Sequence, residues 1–264
     1  ISNGTLLVQS WYDSYDNLPS GFQNFGFASN SSSYWNDYSK QTNGFLTAQE
    51  VKVFNPEAGK PQTLKTKFFY DPNNKGRMIE KISELYDGGY IIMNYLHNFR
   101  GLVIHEQIKL NNSSLGYFSL EYVYNYDHLD RIKYIDQRTY ENPWERIVVN
   151  NYDALGKVTT QRLGVTGSRY LQEINNTYNI QGWQTSINDP NDLGRDLFAM
   201  RLNYQNQTLP NVTGETAISQ YTGNITEVDW AYRNGNPGDA KRIGYRFSYD
   251  GLNRLTDGFW YNNT

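Results

Sequence analysis

Three histidines and a few groups of acidic residues are the side chains in this sequence whose types could carry out chemistry. His97 and His105 are eight residues apart, so on a single strand they would share one face and could bind zinc together. Zinc needs further ligands, and the sequence has no cysteine and no third histidine close to this pair. We therefore interpret His97, His105 and His128 as surface or turn residues.

The acidic groups allow two other kinds of chemistry. A carboxylate pair such as Asp127 and Asp130 can serve a glycosidase, and a loop such as Asp189, Asp192 and Asp196 can bind calcium. The first pair lies in a repeated turn, and the second group lacks the spacing of a calcium-binding loop. No Gly-x-Ser-x-Gly, His-Glu-x-x-His or phosphate-binding glycine loop occurs. The sequence therefore predicts no enzyme, with no catalytic residue, no metal site and no cofactor.

Tryptophan and tyrosine rings could form a different site, because their faces stack on sugar rings. The candidates for such a carbohydrate platform are Trp35, Trp144, Trp183, Trp230 and Trp260. The interpretation that we favour is that these rings pack between neighbouring hairpins.

Composition narrows the class of protein further. The 264 residues include 23 Tyr, 22 Gly and no Cys, with a mean hydropathy of −0.74. Such a chain is typical of β structure with many turns. The net charge of −3 and the lack of a Lys/Arg cluster argue against a nucleic-acid partner. No apolar run approaches about 20 residues, so no transmembrane segment is predicted.

A tyrosine followed by an aspartate, a tight turn, a basic residue and an apolar residue recurs along the chain. Copies begin at Tyr126, Tyr152 and Tyr249. The tyrosines predicted to open turns are Tyr70, Tyr95, Tyr126, Tyr152 and Tyr178, at spacings of 25, 31, 26 and 26 residues, and then Tyr249. About 26 residues suit two strands of eight to ten residues with two connections. The sequence therefore predicts repeated antiparallel hairpins, with no long helix.

Each part of the repeat has a physical reason. The tyrosine ring packs at the strand end, and the next Asp or Asn accepts backbone N–H groups. Gly156 and Gly182 can adopt a positive φ, which Asp130 and Asn253 tolerate at the same place. The following Arg or Lys can stack on a neighbouring ring. Two copies, Tyr70 to Gly76 and Tyr95 to Gly101, are two residues longer than the others, which predicts one shared longer turn.

The remaining segments are less regular. We expect strands over 6–12 and 44–54, an irregular surface excursion over 20–43 and a polar loop over 203–220. The segment 196–202 could form a turn or two or a strand, and we expect a strand over 222–230 and a turn over 234–239. The predicted organisation is an N-terminal β segment over 1–62 and a repeat region over 63–264. Both ends look cut from a longer polypeptide.

The repeat resembles the YD repeats of Rhs-type proteins. The ordered segments that carry the resemblance are Trp11 to Asp16, Gly44 to Ala48, Tyr178 to Asn188 and Tyr221 to Ile225, which are similar to Rhs-repeat proteins of Bacteroidetes. The resemblance implies an all-β fold in which long antiparallel hairpins form one continuous spiralling sheet. In related toxin systems and in teneurins that sheet closes into a hollow shell. In the toxins, a core segment with an Asp-Pro-x-Gly motif releases a C-terminal effector, and Asp189-Pro190 lacks that glycine.

The resemblance implies a non-catalytic stretch of shell that encloses or displays a C-terminal effector in competition between bacteria. The expected partners are the rest of the same polypeptide, namely further repeats, a core and the cargo, and also secretion or surface components. The expected location is secreted or on the bacterial surface. The alternative is a surface adhesin that binds carbohydrate through exposed aromatics and the loops at 20–43 and 203–220.

Overall fold

The chain forms antiparallel β structure throughout the part that can be described. The computed structural model describes residues 7–27, 37–55, 60–73, 75–86, 88–112, 116–140, 142–206, 208–209, 219–233 and 240–263. The strands are β1 Val8–Asp13, β2 Thr42–Asn55, β3 Lys60–Tyr70, β4 Met78–Glu84, β5 Tyr90–His97, β6 Val103–Asn112, β7 Gly116–Tyr126, β8 Ile132–Thr139, β9 Glu145–Tyr152, β10 Val158–Thr166, β11 Arg169–Tyr178, β12 Gln184–Ile187, β13 Phe198–Asn203, β14 Glu227–Arg233, β15 Ala240–Tyr249 and β16 Leu255–Asn263. A 3-10 helix over Phe22–Asn24 is the one helical element in these ranges.

The chain divides into two compact units, Ile1–Glu145 and Arg146–Thr264. Within each unit, strand order follows chain order and each strand pairs antiparallel with the next one. The prediction of an all-β fold built from successive antiparallel hairpins is therefore confirmed. The division at residue 62 stays a prediction.

Strand ends fall where the tyrosines predict them in most copies. β3 ends at Tyr70, β7 at Tyr126, β9 at Tyr152 and β11 at Tyr178, and β15 ends at Tyr249. The register shifts at the last tyrosine of the strand in several of these pairs, for example between Ser248 and Tyr249. The tyrosine therefore marks the bulge at which a hairpin stops pairing and turns.

The hydrophobic core of the first unit includes residues of the segment 20–43, so the expectation that this whole segment is a surface excursion is wrong. Phe22 and Phe25, predicted to lie in a surface excursion, are fully buried and pack with Ala48, Phe69 and Ile82. The ring centroid of Phe25 lies 5.3 Å from that of Tyr90, and the centroid of Tyr38 lies 4.9 Å from that of Phe69. The described part of this segment thus covers one face of the first strands, because an irregular segment rich in aromatic residues can bury area without any periodic pattern.

Two other boundaries differ from the sequence-based expectations. The segment at 196–202, which could have been a turn or a strand, forms β13 from Phe198. The strand expected from 222 begins only at Glu227. In the loop at 203–220, Leu209 is buried against Tyr261, so the described part of that loop is anchored to the sheet. The predicted turn at 234–239 lies outside the described residues.

Candidate functional site

The turn at Asp153 shows how the repeated motif works. The N–H of Asp153 donates to the carbonyl of Lys157 (2.9 Å), and the N–H of Gly156 donates to the carbonyl of Asp153 (3.1 Å). One carboxylate oxygen of Asp153 accepts the N–H groups of Leu155 and Lys157, each at 2.9 Å. Gly156 has a φ of 86°. The side chain therefore closes the turn from inside, as an Asx-turn does.

The same geometry recurs at the other turns of the repeat. Asp127, Asn179 and Asp250 each receive the N–H of the residue four positions later on their side-chain oxygen. The residues at the place of Gly156 are Asp130, Gly182 and Asn253, with φ of 63°, 82° and 61°. The prediction that these aspartates and asparagines accept backbone N–H groups, and that these positions are left-handed, is confirmed.

The copy at Tyr95 is corrected by the structure. β5 continues to His97, and the turn begins at Asn98, whose side-chain oxygen accepts the N–H groups of Arg100 and Leu102. Gly101, with a φ of 94°, then occupies the usual place of the turn glycine. This copy therefore has the ordinary turn with histidine in place of tyrosine, and the prediction of a longer turn shared with Tyr70 to Gly76 is wrong.

The tyrosine hydroxyls link neighbouring strands at the same edge of each unit. Tyr126 donates to the carbonyl of Val103 at 2.7 Å, and Tyr178 donates to the carbonyl of Val158 at 3.0 Å. The corresponding bonds are Tyr70 to Leu46 at 2.7 Å and Tyr249 to Ile225 at 2.8 Å. Each bond runs from the tyrosine at the end of one strand back to a carbonyl at or near the start of the previous strand. We call these bonds tyrosine staples.

Tyr204 forms a staple that the sequence-based reasoning missed. Its hydroxyl donates to the carbonyl of Gln184 at 2.9 Å, just beyond the end of β13. No aspartate follows it, because residue 205 is Gln. The available signal was its position 26 residues after Tyr178, which matches the period of the repeat. Burial raises the pKa of the Tyr204 phenol, as it does for Tyr126 and Tyr249, so these hydroxyls stay neutral donors.

The basic residue of the turn either reaches the next turn or closes its own. Lys157 donates to the carbonyl of Gly182, and its Nζ lies 4.7 Å from the centroid of the Tyr178 ring, so the predicted stacking is confirmed there. Arg77 likewise donates to the carbonyls of Asn98 (2.7 Å) and Phe99 (2.8 Å). These contacts tie successive turns together along the edge.

Arg131 instead binds the aspartate of its own turn, with Nε 2.7 Å from Asp127 Oδ2. This hydrogen bond is the main reason that the pKa of Asp127 is lowered to about 2. Arg254 contacts Asp250 in the same way at 2.6 Å. The carboxylates of Asp127 and Asp250 therefore accept hydrogen bonds within their own turns. This supports the interpretation that Asp127 stabilises a repeated turn.

The histidines do not share one strand. His97 ends β5 and His105 lies in β6, so the two do not have the single-strand arrangement that the zinc alternative requires. His105 Nε2 lies 3.2 Å from Glu121 Oε2, and burial lowers the pKa of this histidine. His128 is exposed in its turn. Among the described residues, no group of three or more His, Asp or Glu side chains is arranged to hold a metal ion.

The acidic loop after β12 lines an open groove of about 720 Å³. Asp189 accepts the N–H of Asn191 at 2.9 Å, and Asp192 accepts the N–H of Gly194 at 2.9 Å. Asp196 accepts Gln172 Nε2 at 2.8 Å, and burial raises the pKa of its carboxyl group. Each carboxylate thus has a protein donor, and together they shape the loop.

Of the five tryptophans considered as a carbohydrate platform, Trp35 lies outside the described residues. Trp183 packs on Tyr204 with ring centroids 5.0 Å apart, and Trp230 packs on Trp260 at 6.4 Å, as expected for rings between neighbouring strands. Trp260 and Trp144 keep 49% and 41% of their surface exposed. The guanidinium of Arg138 lies 4.7 Å from the centroid of the Trp144 ring.

The sequence-based reasoning also missed two sets of buried polar residues. In the second unit, Glu227 and Asp229 are fully buried on one face of β14. Glu227 Oε1 accepts Arg246 Nε at 2.9 Å, and Asp229 Oδ2 accepts Arg242 Nε at 2.7 Å. Burial raises the pKa of Asp229 against the opposing effect of Arg242 and Arg201. Alternation along three paired strands brings these charges together, and nothing in the local sequence marks them.

In the first unit, a row of buried polar residues crosses four strands. Glu80, Asn94, Gln107 and Glu121 lie directly opposite one another in β4, β5, β6 and β7, so all four share one face. Gln107 Nε2 donates to Glu121 at 3.2 Å, and Arg138 continues the row from β8. Glu80, Asn94, Gln107 and Glu121 each expose less than a tenth of their surface. Side-chain hydrogen bonds across strands thus supplement the backbone ladder on this face.

Among the comparisons with known proteins, only the comparison with solved structures gives matches, and these are weak. No family model matches the chain, and no curated protein is similar to it. Solved structures of TcdB2-TccC3-TEV and of TcdB2-TccC3 each match at a TM-score of 0.41 and 12% identity, over 85% of this chain and 12% of the other. TcdB2-TccC3 without its hypervariable C-terminal region matches at 0.30 and 10% identity, over 85% of this chain and 16% of the other. The chain therefore spans less than a fifth of the length of these structures. Among the residues that the structure describes, no helix has the length and hydrophobicity needed to cross a membrane.

Proposed function

We propose that this chain is a non-catalytic wall segment of an Rhs-type shell, which encloses or displays an effector carried by the same polypeptide. The observation that carries the proposal is the set of tyrosine staples together with the turn contacts of Lys157 and Arg77. They join neighbouring strands and successive turns at one edge of each unit, in addition to the hydrogen bonds of the backbone ladder.

A segment of a shell wall requires contacts that hold adjacent hairpins together, and it does not require a binding pocket. A single hydrogen bond of this kind contributes about 1 kcal/mol, but the bond occurs at five strand ends, so its effect accumulates along the repeat. The buried row from Glu80 to Glu121 adds a side-chain hydrogen bond between β6 and β7, from Gln107 to Glu121. Such a sheet resists separation of its hairpins, as a protective enclosure requires. The toxin role, secretion and a bacterial origin of the Bacteroidetes type remain part of this proposal.

The first test is the sequence that follows Thr264 in the complete polypeptide. A core segment with an Asp-Pro-x-Gly motif followed by a variable domain is expected. A polypeptide without them would overturn the enclosure of an effector.

The second test is limited proteolysis of the complete polypeptide. The C-terminal domain is expected to resist protease in the wild type and to be digested faster when Tyr126, Tyr178 and Tyr249 are all changed to Phe. A matched control is Tyr86→Phe, at a ring that is 40% exposed and outside the staples. Equal digestion of all three proteins would contradict the proposed role of the staples.

A second candidate function, carbohydrate binding at a cell surface, is favoured by the exposed rings of Trp260 and Trp144. Trp260 lies beside Tyr245 with ring centroids 4.8 Å apart, which gives an aromatic surface on β15 and β16. A glycan array is the test. Binding that is lost in Trp260→Ala and kept in Trp183→Ala would support adhesion, and no binding by the wild type would exclude it.

A further inference from the structure

The tyrosine staples have their acceptors at one fixed place in the sheet. In three hairpins the acceptor is the first residue of the even-numbered strand, and it lies opposite the last residue of the preceding strand across the register shift at the turn. These acceptors are Val103, Val158 and Gln184, and their carbonyls bind the hydroxyls of Tyr126, Tyr178 and Tyr204. A carbonyl at this place therefore points away from its own hairpin, toward the strand that follows.

Leu255 occupies the same place in the hairpin of β15 and β16. It lies opposite Tyr249 across a register shift, as in the other three hairpins. The turn before it is also the same, because the N–H of Asp250 donates to the carbonyl of Arg254, the residue directly before Leu255, at 2.9 Å. The hydroxyl of Tyr249 itself donates backward, to the carbonyl of Ile225. The Leu255 carbonyl is therefore the acceptor that a tyrosine of a following strand would use.

The outer side of β16 lacks the usual protection of an edge strand. Among the described strands, β16 pairs with β15 alone. Edge strands are commonly protected by lysine, proline or several charges, whereas Asp257 is the one charged residue of β16. From 255 to 262 every residue except Phe259 and Tyr261 is exposed, whereas in β15 only Ala240 is exposed. The outer side of β16 therefore presents backbone N–H and C=O groups that suit a further strand.

The ring of Trp260 has the same one-sided environment. Trp260 and Tyr245 lie directly opposite each other in β16 and β15, so they share one face of the sheet. Their ring centroids are 4.8 Å apart, and 49% of the surface of Trp260 stays exposed. A further strand would place a side chain opposite Trp260 on its other side. The exposed ring would then become a contact between strands.

We propose that the outer edge of β16 and the Leu255 carbonyl form a docking site for one antiparallel strand that ends in tyrosine, supplied by the next hairpin of the same polypeptide. This inference rests on the proposed function, because it requires a polypeptide that continues beyond Thr264. The strand order favours this occupant, since each described strand pairs with its neighbour in the chain. The acceptor favours tyrosine, because the equivalent carbonyls of the other three hairpins each accept a phenol hydroxyl.

The spacing of the staples gives the place of the expected tyrosine. Five staples join a hydroxyl to a carbonyl that lies 20 to 24 residues earlier in the chain. The docking strand should therefore end in a tyrosine 20 to 24 residues after Leu255. An Asp or Asn should follow it, as at Tyr126, Tyr178 and Tyr249.

The first test is the sequence of the complete polypeptide over that interval. A Tyr-Asp or Tyr-Asn pair is expected there, and its absence would overturn the docking site. This outcome is separate from the test of the enclosure. A polypeptide with the pair but without a core segment and an effector domain keeps the docking site and loses the proposed function.

The second test is hydrogen–deuterium exchange of the complete polypeptide. The backbone amides of β16 are expected to exchange as slowly as those of β15, because both would be interior strands. Changing the expected tyrosine to Phe should speed exchange at the start of β16 about fivefold, which corresponds to the loss of one hydrogen bond. The matched control, Tyr178→Phe, should speed exchange near Val158 and leave β16 unchanged.

Three results of the exchange experiment would contradict the proposal. Exchange of β16 at the rate of a solvent-exposed edge strand would show that no strand docks there. Protection of β16 that rises with protein concentration would assign the edge to a second copy of the chain. An unchanged rate in the variant of the expected tyrosine would remove the Leu255 carbonyl from the docking site.

Discussion

Removing the Arg246 side chain should destabilise the second unit far more than its place on a β-strand suggests. Glu227 is fully buried, and Arg246 contacts its Oε1 through Nε at 2.9 Å and through a terminal nitrogen at 2.8 Å. In Arg246→Met the Glu227 carboxylate would keep its hydrogen bonds from the N–H of Thr208 (2.6 Å) and the side-chain amide of Asn203 (3.2 Å). It would lose the positive charge of Arg246. Loss of one partner of a buried ion pair costs about 3–5 kcal/mol.

The assay is urea and thermal unfolding, followed by the fluorescence of the tryptophans of the second unit. For a unit of this size the loss corresponds to a fall of about 12–20 °C in Tm. The double variant Glu227→Gln with Arg246→Met is expected to recover part of the loss, because the buried charge is then gone.

The control for this prediction is Arg162→Met. Arg162 also pairs with a glutamate on the neighbouring strand, at 2.5 Å from Glu173, but 42% of its side chain is exposed. Solvent screens that pair, so the unfolding midpoint should hardly change. If Arg246→Met and Arg162→Met had equal effects, the argument from burial would be refuted.

Four further predictions follow from the turns and the core. Tyr178→Phe should lower the free energy of unfolding by about 0.5–1.5 kcal/mol in urea titration, because the bond to Val158 is lost; no change would show that the staple contributes nothing. Asp153→Ala should cost about 1 kcal/mol in the same assay and Asp153→Asn much less, since an amide oxygen can still accept the turn N–H groups; equal losses would contradict the Asx-turn. Burial lowers the pKa of His97, so the unfolded chain binds a proton at this histidine more readily than the folded chain, and the free energy of unfolding should fall as the pH drops below about 6.5. His97→Phe should flatten this pH dependence, and an unchanged slope would refute the role of His97 in it. Phe22→Ala should cost about 3–5 kcal/mol, measured by thermal unfolding, whereas a surface loop residue would cost little.

The local chemistry of the turns could be predicted from the sequence because a few adjacent residues determine it. Asp153 and Gly156 form their hydrogen bonds within five residues, so their types and spacing contain the needed information. The prediction that a strand ends at Tyr95 is wrong because this tyrosine is not followed by Asp or Asn. Asn98 closes the turn instead.

The core and the buried charges depend on contacts between distant residues. Phe22 is buried by strands that lie far along the chain, and its own segment has no periodic pattern. Arg246 meets Glu227 only because β14 and β15 pair in one particular register, 19 residues apart in sequence. A single sequence gives no signal for such a pair, since both residues are ordinary surface types.

Pairing between consecutive strands has a consequence for how the chain is made. Every strand pair described here joins neighbours in the sequence, so no strand must wait for a distant partner. Most of the loops to be closed are short, the connections from β1 to β2 and from β13 to β14 being the long ones, so the entropic cost of most steps is small, which favours rapid folding. Each hairpin can therefore dock on the preceding one as it leaves the ribosome. Gain or loss of a whole hairpin during evolution would change the length of such a unit without changing which residues of the other hairpins share a face.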